Sequence, residues 1–183
     1  MNKKLLLCIV LFCNAGLSAQ VRVDLSQLRD SVTKSAISND YCDFESVSLD
    51  GKVFSKKDLI GKITLIDLWF EACSPCIAEM GYLIELYGRL KDNNNFQFLS
   101  FTIDNSEVAK KAVEKYNIPY IVCPISREEA SRMNFRRGFP TKIIINKEGK
   151  IVFLESGGPT DPESVKRKIK KMEGQIKHLL LSE

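Results

Sequence analysis

The feature that most constrains this chain is a junction. Ile63-Thr64-Leu65-Ile66-Asp67-Leu68-Trp69 is followed by Cys73-Ser74-Pro75-Cys76, and then by Ile77, Met80, Leu83, Ile84, Tyr87 and Leu90 at helical spacing. The first run, bounded by Gly61, is apolar and β-branched and predicts a strand buried on both faces. The last run predicts an amphipathic helix that stops at Asn93-Asn94-Asn95. The two cysteines therefore fall where a buried strand hands over to a helix. Free backbone N–H groups and the dipole favour an anion there, which lowers a thiol below its free pKa of about 8.5. Cys73 is the expected nucleophile, and Cys76, inside the first turn, is the more buried resolving thiol. Pro75 suits that turn because its missing N–H is not needed. The spacing by itself also permits a structural disulfide or half a zinc site, although Cys42, Cys123 and His178 offer no second pair at ligand spacing.

Around this junction strands alternate with helices. Phe44 to Leu49 alternates, Asp50-Gly51 turns and Lys52-Val53-Phe54 returns, which predicts a hairpin. Phe96 to Thr102 predicts a strand, Val108 to Tyr116 a helix, Tyr120 to Ile125 a short strand and Glu128 to Phe135 a short helix. Thr141 to Ile145 and Lys150 to Leu154 predict an antiparallel pair across the turn Asn146-Lys147-Glu148-Gly149. Thr160-Asp161-Pro162-Glu163 offers a capping box for a last helix, with Val165, Ile169, Met172, Ile176 and Leu179 on one face. The expected class is α/β, with a mixed sheet flanked by helices. Residues 20–40 are polar without sustained period and are expected to form a leader.

Composition narrows the chemistry. The formal charge is +4 over 183 residues, and two of the positives, Lys3 and Lys4, belong to a basic start followed by the apolar run Leu5 to Leu17. That run is shorter than the roughly 20 residues of a membrane span and is expected to be a signal peptide covering residues 1–19, with Ser18-Ala19 before the cut. A retained anchor or a lipoprotein is the lesser alternative, because Phe12 and Leu7, not small residues, precede Cys13 and Cys8. The near-neutral remainder is not built to track phosphates, so nucleic acid is not an expected partner. With His178 as the sole histidine, Ser-His-Asp hydrolysis and His-rich metal sites are improbable. Removal of the signal leaves Cys42, Cys73, Cys76 and Cys123 in an oxidising compartment.

On these residues the chain resembles the thioredoxin superfamily, in its exported TlpA/ResA-type branch, from about Tyr41 to Leu180. Asp67 to Cys76 is similar to the family's strand-to-CxxC segment, and Gly138-Phe139-Pro140-Thr141 to its cis-proline loop. The hairpin after Asp43 and the inserted strand–helix of Tyr120 to Phe135 are similar to the TlpA-type additions. The resemblance implies a thioredoxin-like domain over residues 41–183. It departs at Ala72, where an aromatic residue is usual, and at Cys42, where a proline is usual.

The resemblance implies a thiol–disulfide oxidoreductase working through Cys73 and Cys76. It places Asp67 or Glu79 as the base for Cys76, the Phe139 backbone beside a substrate strand, and Pro140 in the cis form. Trp69 is expected first as core and second as a substrate platform. Neither cofactor nor metal is called for. The implied partners are protein disulfides of the cell envelope, apocytochrome c among them, and a membrane electron donor that recharges the pair. The alternatives are a disulfide oxidase or isomerase, and a non-catalytic binding module on the same scaffold. Ser74-Pro75 lacks the histidine of strong oxidants, and Phe70 stands where peroxidase-type sites want Thr or Ser. Cys42 and Cys123 are read as a second disulfide or as free thiols, and Lys166-Arg167-Lys168 as a solvated helix face, with attraction to a membrane surface as the alternative.

Overall fold

Alternation along one central strand decides which side of the molecule each group reaches. The computed structural model describes residues 25–182, so the expected signal peptide over 1–19 and the first residues of the polar stretch lie outside the described residues. Strand β3 (Ile63–Trp69) is buried at every position. It is the middle of a five-stranded sheet that also holds β4 (Phe96–Thr102), β5 (Ile121–Pro124), β6 (Thr141–Ile145) and β7 (Ile151–Ser156), in the order β5-β4-β3-β6-β7. β3, β4 and β5 run parallel, whereas β6 is antiparallel to β3 and β7 to β6. The parallel pairs need crossovers, which helices α2 (Ser74–Leu90) and α3 (Ser106–Tyr116) supply.

Two cores follow from the period of two. On one face Ile63, Leu65 and Trp69 pack with Met80, Leu83 and Leu86 of α2, and with Ile169, Met172 and Ile176 of helix α5 (Pro162–Leu181). On the other, Ile66 and Leu68 join Leu99, Phe101, Ile143 and Ile145 beneath Ala130 and Met133 of α4 (Arg127–Met133). The same alternation turns Asp67 towards α2 and α5.

Both outer strands have a cover. In the turn that joins β1 (Glu45–Val47) to β2 (Val53–Ser55), the Leu49 N–H donates to the carbonyl of Val122 in β5 at 2.9 Å. At the other end the Ser38 N–H donates to the Ile151 carbonyl at 2.8 Å, and the Ile151 N–H to the Asn39 carbonyl at 2.9 Å. The α/β class, the mixed sheet, the hairpin and the inserted strand–helix all stand as the sequence predicts.

Two local readings are corrected. Leu25–Ala36 inside the polar stretch is a helix, α1, that docks through the buried Ala36 onto the second core; tertiary contact supplies what its few apolar residues alone do not. The last helix is capped by Asp161 rather than by Thr160, since the Asp161 carboxylate accepts the Ser164 N–H at 2.9 Å with Pro162 in the first turn.

Leu65 is fully buried between the central strand and both long helices. Leu65→Ala is expected to cost about 2–5 kcal/mol in urea unfolding, with an unchanged denaturant slope. A loss well under about 1 kcal/mol would mean that this layer is not close-packed.

Candidate active site

Helix α2 begins at its own chemistry. Cys73 is the N-cap residue, in an extended conformation, and its Sγ accepts the Cys76 backbone N–H at 3.3 Å. The Cys73 carbonyl accepts from Ile77 at 3.0 Å, so the sulfur stands over the first turn with the helix dipole behind it. Cys73 and Cys76 are joined as a disulfide, with Cα atoms 5.2 Å apart. Cys73 is 5% exposed and Cys76 2%, so the outer sulfur is the one an incoming chain reaches first. Ala72, the departure from an aromatic residue, is exposed beside it.

On the same side of the sheet lies a cluster of four charged side chains. Asp67 of β3 and Lys142 of β6 stand directly opposite in register, and Lys142 Nζ is 2.8 Å from Asp67 Oδ1. The same ammonium is 2.8 Å from Oε2 of Glu79, which lies one helical turn beyond Cys76 on the buried face of α2. From α5, Lys168 Nζ donates to Glu79 Oε1 at 2.5 Å and to the Gly157 carbonyl at 2.6 Å. Glu155, 3.7 Å from Lys168, forms the outer rim. The Lys142 contacts are short but poorly aligned as hydrogen bonds, so they act as ion pairs held by Coulomb attraction.

Asp67, Glu79 and Lys142 are each at most 1% exposed, an arrangement that desolvation makes expensive. Burial pushes the Asp67 carboxyl above its ordinary range; Lys142 opposes the shift and the Glu79 charge adds to it. For Lys142, burial pulls its pKa down, but the two carboxylates outweigh it and the net direction is up.

The sequence-predicted residues separate into groups. Cys73, Cys76, Asp67 and Glu79 share the α2 side of the sheet. The Phe139–Pro140 peptide is cis, and Pro140 stands one position beyond the Leu68–Thr141 pair at the end of the ladder. The Phe139 ring meets Phe70 edge-on at 5.3 Å between centroids. The Pro140 carbonyl accepts from Gly157 at 2.8 Å, whereas no backbone hydrogen bond among the described residues takes up the N–H or carbonyl of Phe139. Trp69 is fully buried and its indole N–H donates to Ser100 Oγ at 2.7 Å, so it serves as core and offers no platform to a substrate. Cys42 and Cys123 are unbonded. Burial raises both thiols, Cys123 to about 12, which leaves little thiolate on either at neutral pH.

Sequence reading missed the two lysines. Lys168 is not part of a solvated face; its side chain is 9% exposed and bound to Glu79. Lys142 left a legible signal, a lone cation in the apolar run Thr141 to Ile145, at the position alternation turns to the same side as Ile144. Gly158 was missed too. A Cβ there would collide with Glu79 Oε1 and lie 3.2 Å from Lys168 Nζ.

The chain matches the Redoxin family over residues 31–173. It is 30% identical over 123 residues to a thiol-disulfide oxidoreductase ResA of Bacillus cereus, covering 65% of this chain and 69% of that one. The ResA of Bacillus thuringiensis subsp. konkukian is 27% identical over 143 residues, 76% of this chain and 80% of the relative. Among solved structures, the thioredoxin domain of a thiol-disulfide oxidoreductase from Bacteroides vulgatus superposes with a TM-score of 0.62 at 28% identity, over 75% of this chain and 97% of that one. A thiol:disulfide interchange protein from Bacteroides sp. gives 0.63 at 27%, over 78% and 91%. No helix among the described residues is long and apolar enough to cross a membrane.

Two outcomes are expected. Gly158→Ala has no room beside the Glu79–Lys168 pair and should lower stability by about 1–3 kcal/mol in urea, against no change if the loop yields. Asp67→Asn tests the buried carboxyl. A group whose folded pKa is raised stabilises the fold fully below its unfolded value of about 4, and that stability is lost as pH rises through the folded value. Asp67→Asn cannot ionise, so it should gain on the wild type as urea unfolding is repeated from about pH 4 to pH 8. A wild-type-to-variant difference constant over that range would show that Asp67 is not perturbed.

Proposed function

This chain belongs to the Redoxin family and is a TlpA/ResA-type thiol–disulfide oxidoreductase of the thioredoxin superfamily, and from that premise we propose that it reduces disulfides of exported proteins. The observation that carries the reading is the bonded pair at the start of α2, with Cys73 outermost as the N-cap. In the reduced protein the Cys73 thiolate attacks one sulfur of a client disulfide. A Cys73–client bond forms, the client S–S bond breaks, and the departing client sulfur leaves as a thiolate that takes up a proton. Cys76 gives its proton to a carboxylate of the Asp67–Glu79 pair and attacks Cys73 Sγ. The mixed disulfide breaks, the second client thiol departs, and Cys73–Cys76 closes. Two electrons pass to the client, and a donor dithiol, placed on the membrane in this reading, must return them.

The client strand lies along Phe139, whose free N–H and carbonyl can pair with it while Phe70 and Phe139 supply an apolar flank. Ser74-Pro75 supplies no cation to stabilise the Cys73 thiolate, which favours the reducing direction over the oxidase reading. Export rests on the basic, then apolar segment 1–19, and clients of the apocytochrome c kind rest on the family resemblance.

Insulin reduction with dithiothreitol as donor is the direct test, and Cys73→Ser is expected to fall to background. A wild type no faster than the dithiothreitol background would leave only the binding-module reading. Equilibration of the pair in redox buffers is expected to give a potential near about −270 mV. A value near about −120 mV would make the protein a disulfide donor and reverse the proposed direction.

A further inference from the structure

The loop that joins α4 to β6 turns against the usual preference of its residues. Phe135 and Arg136 both hold φ at 57°, a left-handed conformation that residues other than glycine seldom adopt, and Gly138 follows at 77°. Such strain persists only where surrounding contacts hold it. Asn134, 2% exposed, closes the loop on itself: its Oδ1 accepts the Arg137 N–H at 3.3 Å, and its Nδ2 donates to the Gly138 carbonyl at 2.9 Å. A longer chain of bonds reaches the same carbonyl. Thr141 Oγ1 donates to it at 2.7 Å, so in its 2.8 Å contact with Ser156 Oγ the threonine accepts. The Ser156 hydroxyl in turn accepts from Arg137 Nε at 3.2 Å. A guanidinium only donates, which fixes the direction of the chain from Arg137 through Ser156 and Thr141 to Gly138. The same guanidinium donates to Thr33 Oγ1 of α1.

We propose that Arg137 is a positioning residue that couples α1 to the Gly138–Phe139 peptide, so that the docking of α1 sets how this peptide is presented to a client strand. A trans peptide unit is planar, with its C=O and N–H pointing in opposite directions. Two donors on the Gly138 carbonyl therefore also fix the direction of the Phe139 N–H, which no backbone acceptor among the described residues takes up. Arg137 holds both ends of this arrangement. Its backbone N–H closes the Asn134 loop, while its side chain spans from Thr33 on α1 to Ser156 on β7. Loss of the Thr33 contact frees the guanidinium, loosens Ser156 and Thr141, and lets the Gly138–Phe139 peptide rotate. The inference rests on the docking of a client strand along Phe139 proposed above, and not on the direction in which electrons flow.

Single-turnover oxidation of the reduced protein, acid-quenched and followed by thiol alkylation, tests the coupling with two disulfides. Insulin offers a backbone with which Phe139 can pair, and 2-hydroxyethyl disulfide offers none. Thr33→Val keeps the shape of the side chain and removes the acceptor. It is expected to slow the reaction with insulin by about 5-fold, while the small disulfide reacts at the wild-type rate. Arg137→Met should slow insulin by about 10-fold and again spare the small disulfide. Thr33→Ser keeps the hydroxyl and should restore the wild-type ratio of the two rates. The coupling is overturned if insulin oxidises Thr33→Val as fast as the wild type, if both disulfides slow together, or if Thr33→Ser behaves as Thr33→Val. Thr33 is only half-buried on α1, so its two variants keep the test valid should Arg137→Met fail to fold. The reductase reading fails elsewhere, in wild-type insulin turnover that stays at the dithiothreitol background. A single turnover does not require that cycle, so the two failures are distinct.

Discussion

Two ammonium groups and two carboxylates share the dry layer between the central sheet and helices α2 and α5, and much else in the architecture serves to hold them there. Each element contributes one charge: β3 Asp67, α2 Glu79, β6 Lys142 and α5 Lys168. Four ions in such a space are stabilising only if their attraction offsets the loss of water, and apolar side chains of the same shape would often do as well. Under the proposed function there is a reason to keep them, since Glu79 lies one helical turn beyond Cys76 on the same buried face. Breaking a thiol S–H bond inside a protein needs an acceptor whose proton affinity lies near that of the thiol, and burial raises a carboxyl in that direction.

The same layer is tied to the cis-proline loop. Gly157 donates to the Pro140 carbonyl and accepts from Lys168. One residue thereby touches both the loop on which a client strand would lie and the ammonium that pins Glu79. Lys168 reaches inward from α5, whose other lysines face outward, because the gap left by Gly158 admits its head group.

Much of this was legible in the sequence. β3, β4 and β6 have the bounds their apolar runs predict, because a strand buried on both faces leaves no ambiguity of period. The CxxC stands at a strand-to-helix junction as its spacing requires, and Asp67 declared itself as an acid inside an apolar run. What escaped was pairing. Lys168 belongs by sequence to a cationic stretch of an amphipathic helix, and only the packing of α5 against α2 brings it to Glu79. α1 escaped for a related reason, since its twelve residues are mostly polar and it docks on the second core through Ala36.

The covered ends of the sheet have a consequence for a protein of this trade. If its clients are extended chains, as the proposed function has them, it meets many strangers able to add a strand to any bare ladder. Here the hairpin segment seals β5 through Leu49, and the turn after α1 seals the start of β7 through Ser38 and Asn39. Unpaired strand edges seed aggregation. Covering Val122 and Ile151 shortens the bare ladder on both sides, and under the proposed function the Phe139 backbone is where a client strand joins, beside the thiols.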